Sequence, residues 1–136
     1  MGLMEDSRRE IVLYRIERAF IALEQAKACL SMHFLEVTAN RLYYAAYYSV
    51  TALLITSGIP SHSHDGCITQ FGLHFVKTGI LPKDMGKLLR QLFTMRLTGD
   101  YSDCFNLTEE EIFPKINAVE NFVATVTSLA KQKLNE

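Results

Sequence analysis

One position near the end of a predicted helix breaks an apolar pattern in a way that suggests chemistry. Helical steps from Leu89 lead to Leu92, then to Arg96 and Asp100, so Arg96 continues the apolar face of the helix. An arginine there needs a partner; Asp100 stands one turn later, and Asp103 a further turn on if the helix continues. The pair could close the end of a helical bundle as a capping ion pair. Alternatively, a rigidly held guanidinium at the mouth of a pocket could bind a phosphate in a bidentate way.

Four of the six tyrosines of the chain follow Arg41 within one helical segment. Arg41, Tyr44 and Tyr48 share one helix face at spacings i, i+3 and i+7, whereas Tyr43 and Tyr47 share another. Buried packing with the phenol groups at the rim is one explanation of this cluster. The other is a wall of aromatic rings beside an arginine, an arrangement that favours the stacking of bases or nucleotides.

The histidines and cysteines give no complete metal-binding signature. His62 and His64 form an H-x-H pair in a polar loop, but no third ligand stands at a signature spacing, so loop polarity is the simpler explanation. The three cysteines, Cys29, Cys67 and Cys104, are odd in number and far apart, which indicates free thiols in a reducing cytoplasm. We therefore expect no metal ion and no cofactor.

Consecutive helices with short joints must position these residues. The second helix, about 35–57, is apolar or aromatic nearly all round after Arg41. A helix without a polar face must be buried on several sides, which predicts a central position, a dimer interface, or both. The first helix, about 5–31, instead combines a charged face with one apolar stripe at three- to four-residue steps. That predicted stripe consists of Leu13, Ile16, Phe20, Leu23, Ala26 and Leu30.

Three further helices complete the prediction. The third ends at Gly79, and the fourth starts with Pro82 in its first turn and runs to about Thr98, where Gly99 breaks or loosens it. The fifth opens with a capping box at residues 108–111. Because no segment alternates with the two-residue period of a strand, we expect an all-α, up-and-down bundle of four to five helices.

The composition excludes several classes of protein. Of the 136 residues, 49% are apolar and 21% charged, so the chain is not disordered or of low complexity. Lys and Arg number 14 against 15 Asp and Glu, so the whole chain lacks the basic excess of a non-specific nucleic-acid binder, although a local basic stripe is compatible with these counts. The start of the chain has charges where a signal peptide needs an apolar core, and the longest apolar run, Leu42–Ile55, is too short to span a membrane. We expect a single cytoplasmic domain over residues 1–136.

Four segments that follow one another along the chain belong together: Asn40–Tyr47, Ser63–Gly66 leading to Gln70–Gly72, Phe75–Gly79, and Arg96–Tyr101. With these segments in this order, the chain resembles the HEPN superfamily, specifically its short, single-domain prokaryotic branch. The likeness covers nearly the whole chain. It implies a helical bundle that dimerises through its central helices.

The resemblance also implies two kinds of function. Many HEPN proteins are metal-independent ribonucleases in which an arginine steadies the scissile phosphate and a histidine, separated from it by four to six intervening residues, acts as acid or base, with two such motifs meeting across the dimer. Others are toxins beside a minimal nucleotidyltransferase antitoxin, or nucleotide-binding and accessory proteins. Arg96 matches the motif arginine, but Tyr101, Ser102 and Asp103 occupy the positions of the histidine.

We therefore predict nucleotide or RNA-phosphate recognition by a homodimer, joined through its second helix, that is paired with a nucleotidyltransferase partner protein and does not contact a membrane. The alternatives are a degenerate ribonuclease, in which His64 replaces the missing histidine, and a structural interaction module. The candidate catalytic residues are Arg96, Tyr101 and His64, and the predicted phosphate-binding residues are Arg96, Asp100, Tyr101, Arg41 and Tyr44.

Overall fold

The computed structural model describes the backbone of residues 3–101 and 107–136, and the side chains of residues 5–97 and 107–136. The part of the chain so described is helical and contains no strand, which confirms the all-α prediction. A π-helical turn at Gly72–Val76 extends the third helix. The five α-helices are α1 (Leu3–Ser31), α2 (Leu35–Thr56), α3 (His64–Phe71), α4 (Lys83–Tyr101) and α5 (Glu109–Leu134).

Helix α2 lies at the centre of the bundle. It packs against α1, α4 and α5, and its contacts with α1 are the most extensive. Tyr43, Val50 and Leu53 are 0% exposed. Burial within one chain therefore accounts for the apolar composition of α2, without a second subunit. Gly58, with φ of +68°, takes the left-handed conformation with which many helices end.

The predicted apolar stripe of α1 is partly wrong. Leu13 and Phe20 are each 41% exposed, whereas Val12 and Ala19 are 0% exposed and face the core. The buried side of α1 therefore differs from the predicted stripe and contains smaller residues, which allow α2 to approach closely. Apolar residues lie on two sides of α1, so their spacing alone did not distinguish the core side from the solvent side.

The predicted end of α4 is also wrong, because the helix continues through Gly99 to Tyr101. A glycine costs a helix interior only about 1 kcal/mol relative to alanine, which packing can offset. Gly86, also within α4, has a packing role: a Cβ there would lie 3.3 Å from Cγ2 of Val76. Small size at this position lets α4 pack against the π-helical turn.

Side-chain caps begin α3 and α5. The Gly66 backbone N–H donates to Oγ of Ser63 (2.9 Å), and the Glu111 backbone N–H donates to Oγ1 of Thr108 (3.2 Å). The predicted start of α5 is confirmed. No helix in the described ranges is both long and apolar enough to cross a membrane.

We expect Ser63→Ala to lower the free energy of unfolding by about 1 kcal/mol, because it leaves an N–H of the first turn of α3 without its acceptor. Urea denaturation followed by circular dichroism measures the change. Ser63→Asp is the matched control, since aspartate also accepts a bond at this position. Equal stability of the alanine variant and the wild type would mean that this cap contributes nothing.

Candidate functional site

Arg96 lies on the inner side of α4, as its position in the apolar pattern predicts. The residue is 9% exposed and follows the fully buried Leu92 by one turn. Its Nη1 donates a hydrogen bond to the Tyr44 hydroxyl (3.0 Å). Its Cζ lies 5.4 Å from the ring centroid of Tyr43 and 5.7 Å from those of Tyr44 and Phe93. Three aromatic rings therefore surround the guanidinium, and their negative faces help to offset its loss of water.

Two predicted partners of Arg96 lie outside the described side chains. The backbone at Asp100 and Tyr101 belongs to α4, but the structure describes neither side chain. Ser102 and Asp103 lie outside the described residues altogether. The pairing of Arg96 with Asp100 and the participation of Tyr101 therefore stay predictions.

His64 is held against the same aromatic rings as Arg96. It is the first residue of α3, and its Nδ1 lies 2.7 Å from the Tyr43 hydroxyl. The imidazole centroid is 4.4 Å from that of Tyr47 and 5.8 Å from that of Tyr44. From the sequence, His64 could be either a polar loop residue or a functional one. In the structure it is half-buried and contacts the same rings as Arg96. Within the described residues, no group of three or more His, Cys, Asp or Glu could hold a metal ion.

Burial sets the protonation of this cluster. The pKa of His64 is lowered from its ordinary value, first by burial and then by the positive charge of Arg96. Burial raises the pKa of the Tyr43 phenol far above its usual range, and burial also raises the pKa of Tyr47. At neutral pH the site therefore holds a neutral imidazole, protonated phenols and a cationic guanidinium.

The lowered pKa of His64 predicts that stability falls with acid. Because the unfolded chain binds this proton more readily than the folded one, the contribution is complete above the ordinary pKa of 6.5 and is lost as the pH drops below it. Urea unfolding at pH 7.5 and 5.5 should show a larger loss in the wild type than in His64→Gln. Parallel losses in the two proteins would contradict this expectation.

Arg41 also contacts Tyr44. Its Cζ is 5.2 Å from the centroid of the Tyr44 ring. Its Nε and Nη2 donate to Oδ1 of Asn40 (3.0 and 2.8 Å), and its Nη1 donates to Oε1 of Gln25 (3.1 Å). Two guanidinium groups thus contact one tyrosine, and an anion bound near both would offset their mutual repulsion.

The structure brings together four of the predicted site residues and adds one that the sequence reasoning missed. Arg41, Tyr44, His64 and Arg96 meet around the same rings. Phe93, which contacts Arg96, was not singled out. Its position three residues before Arg96 is the signal that could have identified it, since such residues share a helix face.

The cysteines in the described part of the chain do not extend this site. Cys29 and Cys67 are both free thiols, as the sequence predicts. Burial raises the pKa of Cys67 to about 12, so this thiol is not ionised at neutral pH and is a poor nucleophile. Cys104 lies outside the described residues.

Comparison with known proteins gives one family and several relatives. A family model described as the HEPN domain matches residues 12–130. A UPF0332 protein of Thermotoga maritima is 35% identical over 91% of this chain and 94% of its own length. Two proteins of Methanocaldococcus jannaschii carry names that describe them as toxin candidates. One is 31% identical over 98% of both chains, and the other is 30% identical over 71% of this chain and 65% of its own.

Proposed function

The chain belongs to the HEPN family, and on this premise we propose that it recognises the phosphate of RNA or of a nucleotide in a toxin–antitoxin-type pair. The observation that carries the proposal is the placement of Arg96 and Arg41 on one tyrosine, Tyr44. Arginine offers a planar fork of N–H donors that matches phosphate, and the neighbouring rings offer faces on which a base can stack.

Charge and burial both support phosphate as the ligand. The hydrogen bonds of Arg41 to Asn40 and Gln25 leave its charge in place, because both partners are neutral amides. Arg96 lies where water is largely excluded, and a charge–charge contact is stronger there than at an open surface. Asp100 and Tyr101 complete the proposed site.

The proposed partner is a minimal nucleotidyltransferase that acts as antitoxin. The support is the HEPN resemblance together with the names of the two relatives from Methanocaldococcus jannaschii. We place this pair in the cytoplasm, where the free thiols of Cys29 and Cys67 stay reduced.

Calorimetric titration of the purified protein with ATP and with a short unstructured RNA tests the proposed recognition. We expect heat of binding for at least one of the two ligands, and weaker binding at higher salt because phosphate contacts release counterions. A wild-type protein that binds neither would leave only the structural interpretation of Arg96.

A second candidate function is metal-independent RNA cleavage with His64 as the base. It is favoured by one observation: His64 and Arg96 contact the same rings, those of Tyr43, Tyr44 and Phe93. A neutral imidazole beside a phosphate-binding arginine can accept the proton of a 2′-hydroxyl. Its tautomer matters, because the Tyr43 hydroxyl must accept from Nδ1 for Nε2 to act as the base.

We also propose a homodimer joined through α2, with the half-buried Tyr47 in the contact. Light scattering at micromolar concentration should give twice the 15.4 kDa mass of one chain. A mass of one chain would contradict the proposal. Val50 also belongs to α2, but it is 0% exposed in the protomer. A charged substitution there would disrupt the helical bundle itself, so it could not report on the dimer contact.

A further inference from the structure

A row of contacts leads from the candidate site to a basic side of α1. The Cζ atoms of Arg15 and Arg18 lie 6.0 and 5.7 Å from the centroid of the Tyr48 ring. That ring lies 5.7 Å from the ring of Tyr44, which contacts Arg96. The row is continuous across the junction of α1 and α2. We call its outer part the basic strip, made up of Arg15, Arg18, Arg41, Tyr44 and Tyr48.

The basic strip keeps its positive charge. Positions three and four residues away from Arg15, Arg18 and Arg41 hold no Asp or Glu, so no carboxylate stands one helical turn from any of them. The ion pairs found within the described residues involve none of these three arginines. A chain of net charge −1 therefore concentrates three cations on one surface. The acidic residues of α1 point elsewhere, since Glu17 and Glu24 follow each other at a seven-residue spacing on the opposite side.

The strip presents these cations in a form that suits a polyanion. A guanidinium that lies over a ring, as Arg15 and Arg18 do, keeps N–H groups available that a pairing with a carboxylate would use. Arg41 already donates to Asn40 and Gln25 and contributes mainly its charge. All five strip residues are partly exposed, so both charge and ring edges reach the surface. A ligand that matches them carries regularly spaced negative charges and flat groups that stack, which describes an unpaired nucleic-acid strand better than a duplex.

We propose that an unpaired RNA strand follows the basic strip, with one phosphate near Arg96 and Arg41 and later phosphates at Arg15 and Arg18. This proposal rests on the proposed function, and it specifies where the RNA strand runs and how many nucleotides it contributes. The seven residue steps from Arg41 to Tyr48 span about 10 Å along α2 at about 1.5 Å per step. At roughly 3.4 Å per stacked nucleotide, this distance accommodates about three nucleotides.

The double variant Arg15→Gln/Arg18→Gln tests the path. Fluorescence anisotropy with a labelled, unstructured 12-nucleotide RNA should show affinity reduced roughly 20-fold at 0.1 M salt. The slope of log affinity against log salt should fall by about 1.4, since each phosphate contact contributes about 0.7 on a single strand. Binding of ATP should change less than twofold, because ATP is proposed to bind at Arg96 and Arg41 and offers no second nucleotide to Arg15 and Arg18. The variant Arg15→Lys/Arg18→Lys should keep most of the salt dependence of RNA affinity, because it keeps both charges, although it loses the planar guanidinium groups.

The control is Lys83→Gln/Lys87→Gln, which removes the same charge from exposed positions of α4 that precede Arg96 by about 20 and 14 Å along the helix. It should leave RNA affinity within twofold of wild type. If the wild type binds RNA and the arginine double variant binds it equally well, the proposed RNA path along the basic strip is wrong and the proposed function stands. If the wild type binds neither RNA nor ATP, both the proposed function and the RNA path are wrong. If the arginine double variant has half the wild-type mass in light scattering and unchanged RNA affinity, the basic strip is a subunit interface and the proposed RNA path is wrong.

Discussion

Replacing Arg96 with alanine is expected to lower the affinity for a short RNA and for ATP by at least about 100-fold. Hydrogen bonds to charged groups each contribute about 1.5–3 kcal/mol, and a bidentate contact to phosphate loses two of them. Arg96→Lys should retain part of the affinity, because it keeps the charge and loses the planar fork. Calorimetric titration of the three proteins with each ligand measures the effect.

Arg90→Ala is the matched control for this experiment. Arg90 lies on the same helix, its side chain is 57% exposed, and it forms only a 3.7 Å ion pair with Asp65 among the described residues. Its loss should leave both affinities near the wild-type values. Thermal melts of each variant separate binding from folding. A folded Arg96→Ala protein that binds as tightly as the wild type would contradict the proposed site.

The wild-type protein is expected to show little or no ribonuclease activity near pH 7, whereas Tyr101→His should raise cleavage about 10²–10⁴-fold over background. A positioned acid or base contributes a factor of that size. The motif position holds Tyr101, and a phenol with an ordinary pKa of about 10 is a poor base at this pH. A fluorogenic RNA assay on the two proteins, with Tyr101→Phe as control, measures the difference.

His64 provides the outcome that would reverse this expectation. Robust cleavage by the wild type that disappears in His64→Ala would make His64 the base and establish the second candidate function. In that case the rate should fall as the pH drops below the lowered pKa of His64, because protonated imidazole cannot accept a proton. Tyr43→Phe would then reduce the rate by removing the bond that orients the ring. Cleavage that persists in His64→Ala would exclude that role.

The sequence alone determined most of the helices and the inward position of Arg96. These features depend on short-range rules: the 3.6-residue period, the Thr108 cap of α5 and the left-handed glycine after α2. The sequence also indicated that Arg41 and Tyr44 share a face, which their contact confirms. Each of these statements concerns residues within about two turns of one another.

Tertiary structure decided which faces of the helices meet. It placed Leu13 and Phe20 of α1 toward solvent, and α4 continues through Gly99 to Tyr101 although glycine is a poor helix former. It also determined the surroundings of the site residues. The bond between His64 and Tyr43 joins positions 21 residues apart, and the bond between Arg96 and Tyr44 joins positions 52 apart. Helical periodicity gives the side of a helix on which a residue lies. Only the packing of α1, α3 and α4 around α2 fixes the residue that it faces there, since such contacts depend on the volumes of all the side chains between the helices.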